Sequence, residues 1–456
     1  LSRSLRGERI GVLGLARSGR AAAELALARG AAVYASDSSD TPESRDAAER
    51  LRAAGAHAET GRHDVGELAR CTRIVLSPGI PPSAPVLREP ALADVPVTPE
   101  IEFAFGLLDA PVIAITGTNG KTTVTGLVSH LLETGGMAAP AGGNIGTALS
   151  ELALRSGTLD WAVVETSSFQ LAGIRRFAPA IGVVTNLAPD HLDWYPGVRE
   201  YYADKARLFR NADERSVWVL NGEDEDVLRL PGSARGRRLF FRTASLPAPE
   251  DCGGWLAPDG WLTLRVEGED ERVIHRNELR ILGAHNVANA LAASLAARCA
   301  GLEADAVAEG LRSFHPPPHR LEPVGERDGV LWINDSKATN VASTRVALRS
   351  LDRPVVLLLG GRHKGESYTS LLPELRGRAR RVVAFGEAAP QIETDLAGHC
   401  PMERVDGGFE EAVRRAAAAA HRGDAVLLSP ACSSFDMFSD YEARGARFAE
   451  LARGER

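Results

Sequence analysis

Of the 53 basic residues in this chain, only four are lysine: Lys121, Lys205, Lys337 and Lys364. A composition that prefers arginine so strongly marks each survivor as a place where a guanidinium does not serve. Arginine cannot become a neutral nucleophile, and its planar fork does not fit a site shaped for a compact ammonium. Lys121 lies in "IAITGTNGKTTVTGLVSHLL" (113–132), which reads as a buried strand, a polar glycine loop and an amphipathic helix. The backbone of Gly117, Thr118, Asn119 and Gly120 and the helix N-terminus are expected to hold phosphates, with Lys121 neutralising the terminal ones. Thr122 or Thr123 is then placed to ligate Mg²⁺. The ordinary phosphate-loop pattern puts a glycine at 115, where this chain has Ile115, so the loop is a tightened variant.

Glu165 closes the apolar run "WAVVE", which should bring its carboxylate to the same sheet edge as the loop, as a second Mg²⁺ ligand. "TNLAPDHLDWY" places Asn186, Asp190, His191 and Asp193 after another strand, with Lys205 fourteen residues beyond His191. Histidine is a poor ligand for hard Mg²⁺, and a buried lysine near a metal is costly unless neutralised. A carbamate formed with CO₂ turns a lysine into an anionic ligand, which an arginine cannot become. Farther on, "INDSKATN" supplies Asp335, Ser336, Lys337, Thr339 and Asn340. "LLLGGRHKG" supplies Lys364, and "LLSPACSSFDMF" supplies Ser433, Ser434 and Phe435. Each of these follows an apolar strand pattern, and polar groups at consecutive strand ends are how an α/β sheet builds a ligand site.

Such placements need parallel strands with crossover helices, and the chain repeats that logic in three segments. "RIGVLGLARSGRAAAELALARGAAVYASD" reads as strand, loop, helix and a second strand ending near Asp37, with a degenerate G-x-G-x-x-G from Gly11 to Gly19. "CTRIVLSPGIPP" reads as a third strand and "VPVTPE" (95–100) as a linker, while "FHPPPHRLE" (314–322) marks a later boundary. The expected fold class is α/β with three domains. These are a Rossmann-like N-terminal domain over 1–97, a central P-loop-type mononucleotide-binding domain over 98–316, and a Rossmann-like C-terminal domain over 317–456. A length of 456 residues agrees with more than one core.

Apolar content of 44% and charged content of 25% are those of a globular protein. A net charge of −7 argues against a general nucleic-acid binder, so a polyanionic ligand must be held by a few local cations. No apolar run reaches the length of a membrane span, and the opening residues run into a strand pattern rather than a leader, so a cytoplasmic location is expected. The five cysteines are far apart with no C-x-x-C pair and read as reduced thiols.

"GTNGKTT", "GGNIG" (142–146), "ETSSFQL", "DHLDWY" with Lys205, "GAHNVANALAA", "HRLE", "NDSKATN" and "SPACSSFDMF" follow one another over residues 113–442. In these motifs, and in their order, the chain resembles the Mur ligases of peptidoglycan synthesis, and the first segment fits too. The short loop is shared with folylpolyglutamate synthetases, whereas "NDSKATN" is narrower and is similar to the motif of the ligase that adds glutamate. The resemblance implies ATP-dependent addition of D-glutamate to UDP-N-acetylmuramoyl-L-alanine through an acyl phosphate, by a monomer. It implies that Leu15, Ala16, Arg17, Ser18, Gly19, Asp37 and Ser38 bind UDP, with Asn144, Ser167 and His191 also on the UDP-sugar. Lys121, Thr122 and Glu165 would hold the ATP phosphates and one Mg²⁺, and His191 and a carbamylated Lys205 a second. Asn286, Asn289 and Arg320 would contact adenine and ribose, with Asp335 also on the nucleotide side. Lys337, Thr339, Lys364, Ser434, Phe435 and Tyr441 would orient the glutamate. Lys121, Glu165, His191, Lys205 and Lys337 would form the catalytic set. Two departures stand against the family pattern: Ala16 with Arg17 in the first loop, and Tyr441 where phenylalanine is usual.

A dehydrogenase built on the first unit and Asp37 leaves Lys121 and "NDSKATN" without a role. A switch or motor ATPase needs no UDP-sugar domain. The nearest alternative is a sibling ligase adding another amino acid, or L-glutamate. Domains joined by linkers imply closure that shields the acyl phosphate from water.

Overall fold

The computed structural model describes residues 4–80, 84–155, 157–190, 194–248, 251–281, 283–315 and 318–454. Its contacts divide the chain into two units, Leu1–Glu278 with Ala288–Ser313, and Leu279–Val287 with Phe314–Arg456.

The first unit begins with five parallel strands: β1 (Arg9–Leu13), β2 (Ala32–Asp37), β3 (His57–Thr60), β4 (Arg73–Leu76) and β5 (Val97–Pro99), in the order β3-β2-β1-β4-β5. The chain reverses direction across the sheet between β1 and β4, and the loop after β1 opens there, the usual ligand position of a doubly wound sheet. The third strand expected at "CTRIVLSPGIPP" is the fourth, because His57–Thr60 intervenes. The linker expected at 95–100 is corrected more deeply: Val97–Pro99 pairs with β4 from Ile74↔Val97 to Leu76↔Pro99. Proline is tolerated there because β5 is an edge strand and Pro99 is its last residue.

Helix Glu100–Phe105 follows β5 without a spacer and is buried along most of its length. The Glu102 carboxylate accepts backbone N–H groups of Arg175 (3.1 Å), Arg176 (2.8 Å) and Phe177 (2.9 Å). Glu100 Oε1 accepts the Ser150 N–H at 2.7 Å. Arg29, which follows helix Arg17–Ala28 as its C-cap, donates to the carbonyls of Leu107 and Ala153, each at 3.2 Å. These bonds join the first sheet's helical layer to the next sheet.

That sheet contains β6 (Val112–Thr116), β7 (Ala141–Gly143), β8 (Ala162–Glu165), β9 (Ile181–Val184), β10 (Val217–Asn221), β11 (Arg237–Arg242), β12 (Gly253–Leu256), β13 (Trp261–Arg265) and β14 (Glu271–His275). Their order is β14-β13-β12-β11-β10-β9-β6-β8-β7, parallel from β7 to β12 and antiparallel beyond. Every residue of β6 is buried, as a parallel strand covered on both faces requires. Helix Lys121–Thr134 turns Val124, Leu127, Val128, Leu131 and Leu132 inward, a three-and-four spacing that makes one apolar face.

The second unit is a six-stranded sheet of β15 (Glu322–Arg327), β16 (Val330–Asn334), β17 (Val355–Gly360), β18 (Ala379–Phe385), β19 (Met402–Val405) and β20 (Ala425–Leu428), in the order β15-β16-β20-β17-β18-β19. All neighbours are parallel except β15 and β16. Among the described residues no helix is long and apolar enough to cross a membrane.

Candidate active site

The loop after β6 is held in place by the end of β9. Thr118 N–H donates to the Asn186 carbonyl at 2.8 Å, and Thr118 Oγ1 donates to the Ala188 carbonyl at 3.1 Å. Asn119 and Asn186 exchange two bonds of 2.9 Å, and Thr185 Oγ1 donates to the Asn119 carbonyl at 2.6 Å. This closeness explains the two glycines. Gly117 has φ 141° and a Cβ there would lie 2.0 Å from Thr185 Oγ1; Gly120 has φ 82° and its Cβ would lie 2.5 Å from Asn289 Oδ1. Helix Lys121–Thr134 starts at Gly120, among the described residues without a side-chain cap, so its N-terminus suits an anion. Thr122 and Thr123 are half-buried in that turn.

Two of the rare lysines converge on one oxygen. Lys121 Nζ donates to the Gly117 and Thr118 carbonyls at 3.1 and 2.8 Å, and Lys205 Nζ donates to the same Gly117 carbonyl at 2.7 Å. Lys205 is 1% exposed. Burial pushes its pKa down to about 7, helped by the Lys121 charge and opposed by Asp190 and Glu165. Its ammonium lies 4.7 Å from the Tyr201 ring centroid, and the Tyr201 hydroxyl lies 3.3 Å from Thr118 Oγ1. Tyr201 belongs to no motif of the sequence, yet it precedes Lys205 by four residues and so shares its helix face.

Glu165 ends β8 and is 2% exposed. Asn144 clamps it, donating from its backbone N–H to the Glu165 carbonyl and from Nδ2 to Oε1, both at 2.9 Å. Among the described residues Oε2 is buried without a hydrogen-bond partner, an oxygen that suits a hard cation. His191 and Asp193 lie outside the described residues. Among the described residues no three His, Cys, Asp or Glu side chains form a group that could hold a metal ion. Ser167 caps helix Ser168–Ala172 by accepting the Gln170 N–H at 3.3 Å.

The first sheet carries its own cluster. The Leu15 N–H donates to Asp37 Oδ2 at 2.7 Å, while Ser39 donates to Oδ1 from its N–H (2.9 Å) and hydroxyl (2.7 Å). Burial pushes the Asp37 carboxyl up, but these bonds prevail and hold it below its ordinary value. A Cβ on Gly19 would lie 1.8 Å from the Gly14 carbonyl, so helix Arg17–Ala28 starts hard against the loop. Its N-terminus at Ala16 has no side-chain cap; Ala16, Arg17 and Ser38 are exposed and Ser18 is buried.

In the second unit the ends of β16, β20 and β17 stand side by side and carry the remaining candidates. Asp335 is buried, accepting the Ser429 hydroxyl at 2.7 Å and the Leu321 N–H at 3.2 Å. Burial pushes its pKa up to about 7, against the pull of the Arg320 charge. Lys337 Nζ sits 5.2 Å from the Tyr441 ring centroid, a cation–π contact. Arg444, also missed from sequence, is 1% exposed and ties the loops together, donating to Ser336 Oγ (2.9 Å), Ser336 O (2.8 Å) and Cys432 O (3.2 Å). Ser434 is buried, Thr339 half-buried, and Lys364 and Phe435 exposed. Asn286 and Asn289 open helix Ala284–Cys299 three residues apart; Asn289 is the one shown against Gly120.

Family profiles match three consecutive stretches: a Mur ligase MurD-like N-terminal domain over 8–99, a Mur ligase middle domain over 115–297, and a Mur ligase glutamate ligase domain over 319–432. The chain is 42% identical to a UDP-N-acetylmuramoylalanine–D-glutamate ligase of Salinibacter ruber and 43% identical to one of Anaeromyxobacter dehalogenans, with 98% of each chain covered in both cases. In fold it is similar to a pseudomurein peptide ligase type C of Methanothermus fervidus (TM-score 0.60, 20% identity, 98% of this chain and 100% of that one). It is likewise similar to a UDP-N-acetylmuramate-alanine ligase of Thermotoga maritima (TM-score 0.58, 19% identity, 98% and 100% covered). With three α/β domains in the family's order and full-length relatives at this identity, the chain belongs to the Mur ligase family.

Proposed function

We propose that this chain uses ATP to join D-glutamate to UDP-N-acetylmuramoyl-L-alanine, releasing ADP and phosphate. The observation that carries this reading is the likeness, over 98% of both chains, to relatives named for that reaction. The terminal carboxylate of the UDP-sugar attacks the γ-phosphorus of ATP and ADP leaves. The glutamate amine, having lost a proton, attacks the resulting acyl phosphate, and the tetrahedral intermediate expels phosphate to leave the amide. A carboxylate resists amine attack until one oxygen becomes a good leaving group, which is why ATP is required.

The N–H groups of Gly117 and of Gly120 to Thr123 and the Lys121 ammonium bind the phosphates, while Thr118 and Asn119, whose N–H groups go to Asn186, shape the loop around them; Asn289 stands beside it, and Asn286, Arg320 and Asp335 lie on the nucleoside. Leu15 to Gly19, Asp37, Ser38, Asn144 and Ser167 bind the UDP-sugar, together with His191. Lys337, Thr339, Lys364, Ser434, Phe435 and Tyr441 orient glutamate. Glu165 and Thr122 would hold one Mg²⁺ and His191 and Lys205 a second, and the metal would supply neutralisation of the charge that builds during phosphoryl transfer. A Lys205 amine that is substantially neutral near pH 7 can attack CO₂, forming an N–C bond and releasing one proton, which gives the carbamate. Lys205→Ala then abolishes turnover and acetate or formate partly restores it; absence of rescue overturns the carbamate.

The first domain includes β5 and so ends at Pro99 rather than at 97, the second ends near 316, and the enzyme acts as a cytoplasmic monomer; a dimer by light scattering at assay concentration would overturn the last point. The deciding assay is phosphate release with UDP-N-acetylmuramoyl-L-alanine and single amino acids. Release only with D-glutamate supports the assignment. Release without any amino acid overturns a ligase, and release with L-glutamate, lysine or diaminopimelate alone overturns the specificity.

A further inference from the structure

Two loops proposed above to recognise glutamate leave adjacent strands, since β17 and β20 pair from Val355↔Ala425 to Leu358↔Leu428. One carries His363 and Lys364, the other Cys432 and Ser434. Their backbones already touch: Arg362 N–H donates to the Ser433 carbonyl at 2.9 Å, and a Cβ on Gly361 would lie 2.3 Å from that same oxygen. Beneath them stands Tyr368, 1% exposed, its ring in the apolar core of the second unit. Its backbone N–H donates to Asp395 Oδ2 at 2.7 Å, and the Ser367 hydroxyl donates to that oxygen at 2.9 Å, so the residue is fixed at its base.

The Tyr368 hydroxyl lies 3.0 Å from His363 Nδ1 and 3.0 Å from Cys432 Sγ. A phenol has one hydrogen and acceptor lone pairs, so it can donate to one neighbour while accepting from the other. His363 immediately precedes Lys364, and Cys432 lies two residues before Ser434. A rigid, buried post therefore holds one end of each recognition loop through a single oxygen. Neither neighbour belongs to the set assigned to glutamate, and no part of the phosphoryl-transfer chemistry uses Tyr368.

We propose that Tyr368 is a positioning residue that fixes the spacing between Lys364 and Ser434 and thereby selects the length of the acidic amino acid accepted. The inference rests on the glutamate assignment above. Tyr368→Phe keeps the buried ring and deletes only the oxygen that both loops share. The expected result is a rise in the KM for D-glutamate of about five- to tenfold, the worth of one such hydrogen bond. The kcat and the KM values for ATP and UDP-N-acetylmuramoyl-L-alanine stay within about twofold, and the preference for D-glutamate over D-aspartate narrows. His363→Ala should raise the same KM, and the double variant should be no worse than the worse single one, because both act through one link. An unchanged KM for D-glutamate in Tyr368→Phe overturns the proposal, as does a parallel loss in all three KM values with a lowered melting temperature. Wild-type enzyme that ignores D-glutamate overturns the underlying assignment instead, and the wild-type control separates the two failures.

Discussion

Lys205→Met tests the electrostatics of the loop by a route independent of catalysis. The buried amine titrates at about 7 instead of its ordinary 10.5. Between those values the unfolded chain binds a proton that the folded chain has released, so stability rises with pH through that window. Below it both states are protonated and the full penalty of the buried charge is present; above it neither state is. From about pH 6 to about pH 9 this linkage removes roughly 2 pH units of penalty, or about 2.5 kcal/mol. Methionine fills similar space and has no proton to bind. The stability of Lys205→Met relative to wild type should therefore be higher at pH 6 than at pH 9 by about that amount, whatever its activity. Urea unfolding of both proteins in CO₂-free buffer at the two pH values measures the difference. A gap between variant and wild type that does not change with pH refutes the reasoning, because it leaves Lys205 with an ordinary pKa.

Gly117→Ala places a methyl 2.0 Å from Thr185 Oγ1 at a φ of 141°, and phosphate release should fall about 100-fold while the second unit's unfolding stays unchanged. Glu165→Gln removes the charge while keeping the shape that Asn144 clamps, so kcat should fall by about 10²–10³ in steady-state assays. Asp335, raised from 3.8 to about 7, is protonated in the fold where the unfolded chain is not, so its contribution to stability is lost as pH rises through that window. Calorimetry from about pH 5 to about pH 7.5 should show wild type losing roughly 2.5 kcal/mol that Asp335→Asn keeps.

The chemistry-bearing parts of this chain were legible because they obey local rules. A strand followed by a glycine turn and a helix shows itself in twenty residues, and lysine in an arginine-rich chain is a strong signal at any position. What stayed hidden depends on partners far away in sequence. Val97–Pro99 is a strand only because β4 lies beside it, and its proline and brevity read as a linker. The strands β11 and β12 are hidden, since "RRLFFR" sets only three apolar residues between arginines and "GGWL" is short and rich in glycine. Arg444 reads as one surface arginine among many until the fold places it against Ser336, 108 residues earlier.

The passage from β5 to helix Glu100–Phe105 contains no spare residue, and that decides how the chain comes apart. A fragment ending at 97 would lose the edge strand of its own sheet, and one beginning at 98 would carry an unpaired remnant of it. Glu102 meanwhile binds three N–H groups of the turn at 175–177. A cut after the first sheet thus severs a strand ladder and discards the acceptor on which a distant turn depends. The first two sheets are best expressed, exchanged or grafted as one part, whatever boundary the motifs suggest.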